Sequence, residues 1–401
     1  MITHRKKLRT HDLLWLHERA PHVPFRAMRR DVRTDVLIIG GGITGAMLAQ
    51  TLAAGGFEVV LVDRREPAHG ATAASTALVQ YEIDTPLIEL RRKIGARDAA
   101  RAWQRARLAV DGLRATFRAL GIAAQSRDSL YLAGNRLGAP ALREEATLRR
   151  GIGLETAYLT GRELHDRFGM ARQGALMSFD NLTINPRRAT AMLLRRAAAD
   201  GARLLAPVDV RDIETLKTRT LARTKDGPAI RARTVVLATG YEFPRMVPRR
   251  GHRIATTWAF ATRPQPRKLW PEQCLIWEAS DPYLYLRTTE DGRVICGGED
   301  SPHAHRPAED ARADVKFARL AAKLDRLFPQ LDTRPQFGWA ASFGGTATGL
   351  PIIAPIPRHR NCWVALGYGG NGITYARIAA DIIRAALTGH PDPDAGLYGF
   401  R

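Results

Sequence analysis

The stretch of sequence that decides the fold runs from residue 35 to residue 63 and reads DVLIIGGGITGAMLAQTLAAGGFEVVLVD. Its first five residues, DVLII at 35–39, contain an uninterrupted apolar run, which is typical of a buried parallel strand. Residues 43–54 predict a helix that ends at the glycine pair 55–56. Residues 58–62 predict a second buried strand. Together they predict a β-turn-α-β unit.

The turn between the first strand and the helix carries the pattern GxGxxG, in which the glycines are Gly40, Gly42 and Gly45. The first glycine permits a sharp turn, the second lets a pyrophosphate approach the backbone, and the third lets helix and strand pack closely. The helix N-terminus adds N–H groups and the positive end of a dipole. Asp63 ends the second strand, where its carboxylate can bind ribose hydroxyls and would repel a 2′-phosphate. The unit therefore predicts a dinucleotide site that disfavours NADP.

Two later segments favour FAD over NAD. Residues 70–77, GATAASTA, are small or hydroxyl-bearing and suit a loop that wraps an extended dinucleotide. Residues 367–372, GYGGNG, precede the last predicted helix and would bring N–H groups and a helix dipole to a flavin ring. Each segment taken singly is also typical of a structural turn.

Composition limits the class of protein. The 401 residues are 45% apolar and 25% charged, which excludes a disordered chain, a collagen-like chain and a disulfide scaffold. The three cysteines are far apart and form no CxxC, so we expect no disulfide framework, no metal site and a reducing, cytoplasmic location. The basic N-terminus is followed by no apolar stretch, which predicts no secretory signal. The uncharged stretch 36–57 contains six glycines, so we predict no transmembrane segment.

The formal net charge is +21, from 61 Lys and Arg against 40 Asp and Glu. Of the basic residues, 53 are Arg and only 8 are Lys, and they are spread along the whole chain. This distribution argues against a nucleic-acid partner. The densest basic region is 1–33, where nine basic residues face three acidic ones. We expect any contact with a partner or a membrane surface there.

These segments, in this order, resemble the D-amino acid oxidase family of FAD-dependent oxidoreductases, which includes glycine and sarcosine oxidases. The resemblance covers about residues 33 to 390. It rests on residues 35–63, VVLATG at 235–240, Trp339 followed by GLPII at 349–353, and ALGYGGNG at 365–372. Residues 281–300, DPYLYLRTTEDGRVICGGED, are similar to a strand pair of the family's substrate domain.

The resemblance implies an α/β fold, α+β overall, in which a Rossmann-like FAD-binding domain is interleaved with an antiparallel-sheet substrate domain. The implied segments are a basic lead-in at 1–33, FAD-binding segments at 34–120, 186–250 and 336–401, and substrate segments at 121–185 and 251–335.

The resemblance also implies a reaction. A hydride moves from a carbon next to an amine nitrogen to flavin N5, and the resulting imine hydrolyses; the acceptor that reoxidises the flavin is oxygen or an unknown carrier. Such chemistry depends on orientation more than on acid–base groups. We assign no catalytic residue, and we expect non-covalent FAD and a small amine substrate. Two alternatives stay open: a basic flavoprotein that acts on or binds RNA, and a non-enzymatic FAD-binding protein.

Three departures from the family pattern bear on the substrate. Phe343 stands where relatives that bind amino acids often have an arginine. Residues 348–351 read TGLP instead of Asp-Gly-Leu-Pro, and Asn371 stands where a histidine is common. These changes argue against a simple α-amino acid, unless another arginine binds its carboxylate.

Arg287 is the candidate for that arginine, because strand alternation places Tyr283, Tyr285 and Arg287 on one face. The candidate substrate-pocket residues are Gln80, Tyr81, Tyr283, Tyr285, Arg287, Phe343 and Tyr368, with Glu82 beside the first two. The candidate cofactor-binding residues are Gly40, Gly42, Ile43, Thr44, Gly45, Asp63, Arg64, Thr72, Ser75, Thr76, Thr239, Gly240, Gly349, Gly367, Gly369, Gly370, Asn371, Gly372 and Ile373.

Overall fold

The computed structural model describes residues 2–3, 6, 8–248, 251–302 and 312–400. Within these residues the strands are β1 Arg9–Asp12, β2 Val32–Ile39, β3 Val59–Val62, β4 Leu78–Val79, β5 Ala124–Leu132, β6 Thr156–Thr160, β7 Gly174–Ile184, β8 Arg203–Leu205, β9 Val210–Thr215, β10 Thr220–Thr224, β11 Ala229–Leu237, β12 His252–Thr262, β13 Leu275–Glu278, β14 Leu284–Thr288, β15 Val294–Ser301, β16 Pro335–Thr346, β17 Ile352–Pro355 and β18 Cys362–Leu366.

The α-helices of the same residues are α1 Leu14–His17, α2 Ile43–Ala54, α3 Ala71–Ala74, α4 Leu87–Ile94, α5 Ala96–Ala119, α6 Ala139–Gly151, α7 Gly161–Phe168, α8 Pro186–Ala199, α9 Ala313–Leu327 and α10 Gly372–Leu387. Short 3-10 helices lie at Pro266–Lys268, Pro271–Gln273 and Ala395–Tyr398. None of the described helices is both long enough and apolar enough to span a membrane.

One sheet is built on the predicted β-turn-α-β unit. Its strand order is β17-β18-β11-β2-β3-β8, parallel from β18 to β8, with β17 antiparallel at one edge and β9 and β10 added beside β11. Val36 and Ile38 pack into a core shared with helices α2, α5, α8 and α10, whereas Leu37 and Ile39 pack into a second core on the opposite face. Because both faces are covered, the second half of the strand, residues 36–39, is apolar at every position.

The other sheet is mainly antiparallel, in the order β1-β16-β12-β15-β14-β13-β5-β7-β4, with β6 also paired to β7. Helix α9 packs against this sheet and buries Leu320 and Leu324 in its core. Strands β5 and β7 come early in the chain and β12 to β16 come late, so the chain enters this sheet more than once. The predicted fold class, a Rossmann-like sheet interleaved with an antiparallel sheet, is confirmed.

The structure differs from the predicted segments in two places. Strand β16 lies in the antiparallel sheet, between β1 and β12, although residues 336–401 were expected in the FAD-binding domain. The segment 1–33 is not a lead-in outside the fold: β1 pairs with β16, and Arg26 forms a bridge with Leu205 in the parallel sheet. The physical reason is that this basic segment also contains apolar residues, and Leu13, Leu14 and Trp15 are fully buried.

Candidate functional site

A cavity of about 440 Å³ lies between the two sheets. The β2–α2 turn, the loop around α3 and the glycine loop before α10 contribute to its wall. The antiparallel sheet contributes side chains from β12, β14 and β16 and from the segments beside them. The cavity therefore joins the predicted cofactor segments to the predicted substrate domain.

The glycine turn is shaped as the sequence motif requires. Gly40 has φ +120°, and a Cβ on it would lie 2.3 Å from the carbonyl oxygen of Ala238. A Cβ on Gly45 would lie 1.8 Å from the carbonyl oxygen of Gly40, so only glycine lets α2 cross β2 this closely. Helix α2 begins at the cavity after Gly42, and the N–H of Ile43 donates to Thr72 Oγ1 at 3.0 Å.

Asp63 lines the cavity beside this turn. Its carboxylate accepts the N–H of Gly41 at 2.6 Å and the N–H of Arg65 at 2.8 Å. Burial raises the pKa of Asp63, and these two hydrogen bonds oppose that rise. Next along the chain, Arg64 also lines the cavity, and its Nη1 is buried without a hydrogen-bond partner among the described residues.

The small-residue loop 70–77 is fixed by side chains that donate to its carbonyl oxygens. Trp339 Nε1 donates to Ala74 O at 2.9 Å, and Trp15 Nε1 donates to Ser75 O at 2.7 Å. Both tryptophans are almost fully buried. The conformation of this cavity loop therefore depends on one residue from the N-terminal segment and one from β16.

Arg287 also donates to carbonyl oxygens of loop 70–77. It does not line the cavity, so its prediction as a substrate-binding residue is corrected. Its Nη1 donates to the carbonyl oxygens of Thr76 at 3.1 Å, Ala77 at 2.9 Å and Ile184 at 2.9 Å. Its guanidinium also lies 5.6 Å from the centre of the Trp15 ring. Burial lowers the pKa of Arg287 to about 9, so the group remains charged at neutral pH. Strand alternation predicted that Tyr283, Tyr285 and Arg287 share one face, but only the two tyrosines line the cavity, and Arg287 lies further along the strand, beyond it.

The glycine loop before α10 contacts the residues that follow loop 70–77. The N–H of Gly370 donates to Asp84 Oδ2 at 2.6 Å. Asn371 Nδ2 donates to the carbonyl oxygen of Glu82 at 2.8 Å and to that of Gln80 at 3.3 Å. Asn371 has no side-chain hydrogen bond that caps α10, so this helix begins at the cavity without a cap from its own N-cap residue.

Most of the predicted site residues lie around this one cavity. Those that line it are Gly40, Gly42, Ile43, Thr44, Asp63, Arg64, Thr72, Ser75, Thr76, Gln80, Thr239, Gly240, Tyr283, Tyr285, Phe343, Tyr368, Gly369, Gly370, Asn371, Gly372 and Ile373. Those that do not are Gly45, Tyr81, Arg287, Gly349 and Gly367.

Two of the predicted residues outside the cavity pack behind it. Gly349 has φ +78°, and a Cβ on it would lie 2.5 Å from Thr85 Oγ1. Tyr81 is buried, and the guanidinium of Arg107 lies 5.3 Å from its ring centre. Neither residue is placed to touch a molecule in the cavity.

The aromatic wall on the substrate side was predicted only in part, since the sequence reasoning named Tyr283 and Tyr285 and missed Tyr131 and Trp277. Tyr131 and Trp277 both line the cavity and stack with ring centres 3.8 Å apart. Tyr283 and Tyr285 line it with ring centres 5.9 Å apart. A Cβ on Gly297 of the neighbouring strand would lie 2.3 Å from the Tyr285 ring, so the glycine pair at 297–298 was the one local signal of this packing.

Asp300 is a further missed residue and lies behind this wall. Tyr283 donates its hydroxyl to Asp300 Oδ2 at 2.8 Å, and Oδ1 is buried without a partner among the described residues. Burial raises the pKa of Asp300 to about 6. The spacing of residues in the sequence does not connect Tyr283 and Asp300 to Asp84 or Trp277, because the pairing of distant strands brings these four residues to one region.

The residues present fit a flavin dinucleotide. Five residues of the cavity wall have buried polar atoms without partners in the described part of the chain: Arg64 Nη1, Gln80 Nε2, Thr257 Oγ1, Trp277 Nε1 and Asn371 Oδ1. Two helix N-termini, those of α2 and α10, begin at the cavity without a side-chain cap of their own. A pyrophosphate and the carbonyl oxygens of a flavin ring would satisfy the unpaired donors Arg64 Nη1 and Gln80 Nε2 and the helix N-termini. Asn371 Oδ1 is an acceptor, which an N–H of the ring would satisfy.

Comparison with known proteins agrees with this geometry. Residues 35–386 match the family model DAO, described as FAD dependent oxidoreductase. Glycine oxidase of Geobacillus kaustophilus is 26% identical, over 85% of this chain and 89% of its own length. The tRNA 5-methylaminomethyl-2-thiouridine biosynthesis bifunctional protein MnmC of Cupriavidus necator is 25% identical over 93% of this chain. The match spans only 60% of that bifunctional protein.

Solved structures share the fold. The crystal structure of glycine oxidase from Geobacillus kaustophilus aligns with a TM-score of 0.73 at 21% identity, over 90% of this chain and 96% of that one. L-proline dehydrogenase from P. horikoshii aligns with a TM-score of 0.78 at 17% identity, over 92% of this chain and 97% of that one. At these identities the likeness establishes the arrangement of the two sheets.

Proposed function

The chain belongs to the DAO family of FAD-dependent oxidoreductases, and we propose that it oxidises a C–N bond of a small amine or amino-acid-like substrate. The observation that carries the proposal is that the glycine turn and the aromatic wall line the same cavity. Glycine oxidase, which is similar over 85% of this chain, supports amine chemistry.

We assign the cofactor contacts to the residues that line the dinucleotide side of the cavity. Asp63 would accept hydrogen bonds from ribose hydroxyls, and the N-terminus of α2 after Gly42 would bind the pyrophosphate. The loop 369–372 and the N-terminus of α10 would bind the flavin ring. No cysteine or histidine lies in the cavity wall as described, which supports a non-covalent cofactor.

When bound, FAD supplies the acceptor for a hydride equivalent from the carbon beside the substrate nitrogen, and water then hydrolyses the imine product. The residues of the chain orient and enclose the substrate. Tyr283, Tyr285 and Phe343 form apolar walls that hold the C–H bond in one position and exclude water from it. None of these side chains is required to transfer a proton.

The first test is the cofactor and its reduction. We expect the purified protein to be yellow and to release FAD on denaturation. Under anaerobic conditions, a panel of primary and secondary amines should contain at least one that bleaches the flavin absorbance and yields the carbonyl product expected after imine hydrolysis. A colourless protein that FAD cannot reconstitute, or a flavin that no amine reduces, contradicts the proposal. Oxygen consumption with the reducing amine then separates an oxidase from an enzyme that needs a carrier.

A second candidate function is the oxidation or binding of an RNA-borne amine. Two observations favour it: the net charge of +21, and the 25% identity to a bifunctional tRNA biosynthesis protein. Binding of tRNA by the FAD-loaded protein should then weaken steeply as salt rises. Failure to bind tRNA at low salt removes this candidate.

We further propose a reducing compartment such as the cytoplasm. Cys274, Cys296 and Cys362 are all buried free thiols, which supports that location. A partner or membrane contact through the basic residues of 1–33 stays a prediction.

A further inference from the structure

The charges around the substrate side of the cavity indicate which amines it accepts. Arg136 is the one basic side chain among the described residues that line this side. Its Nε and Nη2 both donate to the carboxylate of Glu89, the Nε at 3.0 Å, so its charge is already neutralised. Arg287 donates to backbone carbonyl oxygens, and Phe343 stands where relatives that bind amino acids often have an arginine. Among the described residues on the substrate side of the cavity, no arginine is therefore free to bind a substrate carboxylate.

Of the two acidic side chains on the substrate side of the cavity, Glu278 and Asp84, only one is neutralised by an ion pair, as Arg136 is. Glu278 lines the cavity but is paired with Arg172, whose Nη2 lies 2.7 Å from Oε1. Asp84 lines the cavity and has no ion-pair partner within 4.0 Å among the described residues. Its Oδ2 accepts the N–H of Gly370. Burial raises the pKa of the Asp84 carboxyl, and this hydrogen bond and the charge of Arg136 oppose that rise.

The cavity that Asp84 lines is also rich in aromatic side chains. Tyr241, Trp277, Tyr283, Tyr285 and Phe343 line the cavity together with Asp84. The negative faces of aromatic rings attract cations, and several rings around one carboxylate are a typical receptor for an alkylated ammonium group. The hydroxyl of Tyr283 is directed to Asp300, so a second carboxylate lies behind the rings. Asp84 and Asp300 thus give this half of the cavity two carboxylates that have no ion-pair partner among the described residues.

We propose that the substrate is a cationic amine without a neighbouring carboxylate, and that Asp84 forms an ion pair with its ammonium group beside the aromatic wall. Because only the neutral amine can lose a hydride and form the imine, the ammonium proton passes to the carboxylate of Asp84 before the C–H bond breaks. This inference rests on the proposed amine oxidation and names its substrate class. It explains the absence of an arginine at position 343, since an arginine there would repel the same cation.

Binding of non-reacting ligands to the FAD-loaded protein tests the inference without using turnover. The probes are benzyltrimethylammonium, benzyl alcohol and benzoate, which share a ring and differ in charge; calorimetry measures each affinity. We expect the cation to bind about ten- to a hundredfold more tightly than benzoate, with benzyl alcohol between them, as expected for one charge-assisted contact. Equal affinities, or tighter binding of benzoate, would overturn the inference.

Asp84→Asn isolates the charge, because an asparagine oxygen can still accept the Gly370 N–H. This variant should retain FAD and lose the preference for the cation to within about twofold. The matched variant Glu89→Gln weakens the neutralisation of Arg136 and should improve benzoate binding while the cation still binds. A D84N protein that holds FAD and keeps the cation preference contradicts the role of Asp84. If D84N does not fold, the comparison of the three ligands on the unmodified protein still decides the inference.

Failure of the proposed function is distinguishable from failure of this inference. If no amine reduces the flavin, the reaction is wrong, yet the charge preference remains measurable. If amino acids reduce the flavin and benzoate competes with them better than the cation, the reaction stands and the substrate class is wrong.

Discussion

The indole N–H of Trp15 donates to the carbonyl oxygen of Ser75 at 2.7 Å, across 60 residues of sequence. Trp15 belongs to the basic N-terminal segment, and Ser75 belongs to the loop that lines the cofactor cavity. The N-terminal segment is therefore part of the support of the site, and its apolar residues matter to the site more directly than its charge does.

Replacement of Trp15 by Phe keeps most of the buried ring and removes this hydrogen bond. We expect a loss of about 1–3 kcal/mol in the free energy of unfolding, because the Ser75 carbonyl loses a buried partner, together with weaker FAD binding. Denaturant unfolding and FAD titration of the apoprotein measure the two effects.

The matched control is Trp270→Phe, which removes a buried hydrogen bond to the Cys274 carbonyl at 3.0 Å, away from the cavity. It should lower stability and leave FAD affinity unchanged. Equal FAD affinities for the W15F and W270F proteins would contradict the role given to Trp15.

Replacement of Arg287 by Met leaves the carbonyl oxygens of Thr76, Ala77 and Ile184 without their shared donor. We expect a fall of about 3–5 kcal/mol in the free energy of unfolding and a large loss of bound FAD, because loop 70–77 is no longer fixed. Arg233→Met, at a side chain that is 81% exposed, should change stability by no more than about 0.5 kcal/mol. An R287M protein with normal FAD content would show that the loop holds its shape without the guanidinium.

Gly45→Ala would place a Cβ 1.8 Å from the Gly40 carbonyl oxygen, a clash with backbone that no rotamer relieves. The helix must move away from β2, and we expect a protein that is insoluble or lacks FAD. The control is Gly151→Ala, since Gly151 ends α6 and a Cβ there meets no atom within 4 Å. Flavin content per protein chain is the measurement, and a yellow, soluble G45A protein would refute the packing argument.

The ionisation of Asp300 makes stability depend on pH. Its pKa is 3.8 as a free group and is raised to about 6 by burial, so the folded state binds a proton more tightly than the unfolded state does. This carboxyl therefore causes stability to fall as pH rises from about 4 to about 6, and its full cost, about 1–3 kcal/mol, applies above that range.

Asp300→Asn removes this cost, and Tyr283 can still donate to the amide oxygen. The D300N protein should gain stability over the unmodified protein at pH 8 and show little gain at pH 4. Thermal unfolding at the two pH values gives the comparison, and the exposed Asp226→Asn should show no such difference. A gain of the same size at both pH values would rule out the ionisation of Asp300 as its source.

The sequence by itself determined the dinucleotide half of the site. Residues 35–63 encode a strand, a glycine turn, a helix and a terminal acid within one local unit, and the structure has β2, α2 and β3 in those places. Such a unit is predictable because the steric demand of Gly45 acts against the carbonyl oxygen of Gly40, five residues earlier in the chain. The demand at Gly40 is different, since its close contact is with the distant Ala238. The family and its cofactor followed from this unit and two further glycine-containing segments.

Only the tertiary structure decided the substrate half and the support of the loop. Arg287 was expected to bind an anion and instead binds three carbonyl oxygens, because strand pairing brings β14 to loop 70–77, about 210 residues away. Asp84 gave no signal in the sequence, and it matters because it has no close ion-pair partner among the described residues and lines the same cavity as rings from several strands. The conformation of a turn is determined by residues that are adjacent in the sequence. The partner of a buried charged side chain depends on how strands that are distant in the sequence are aligned.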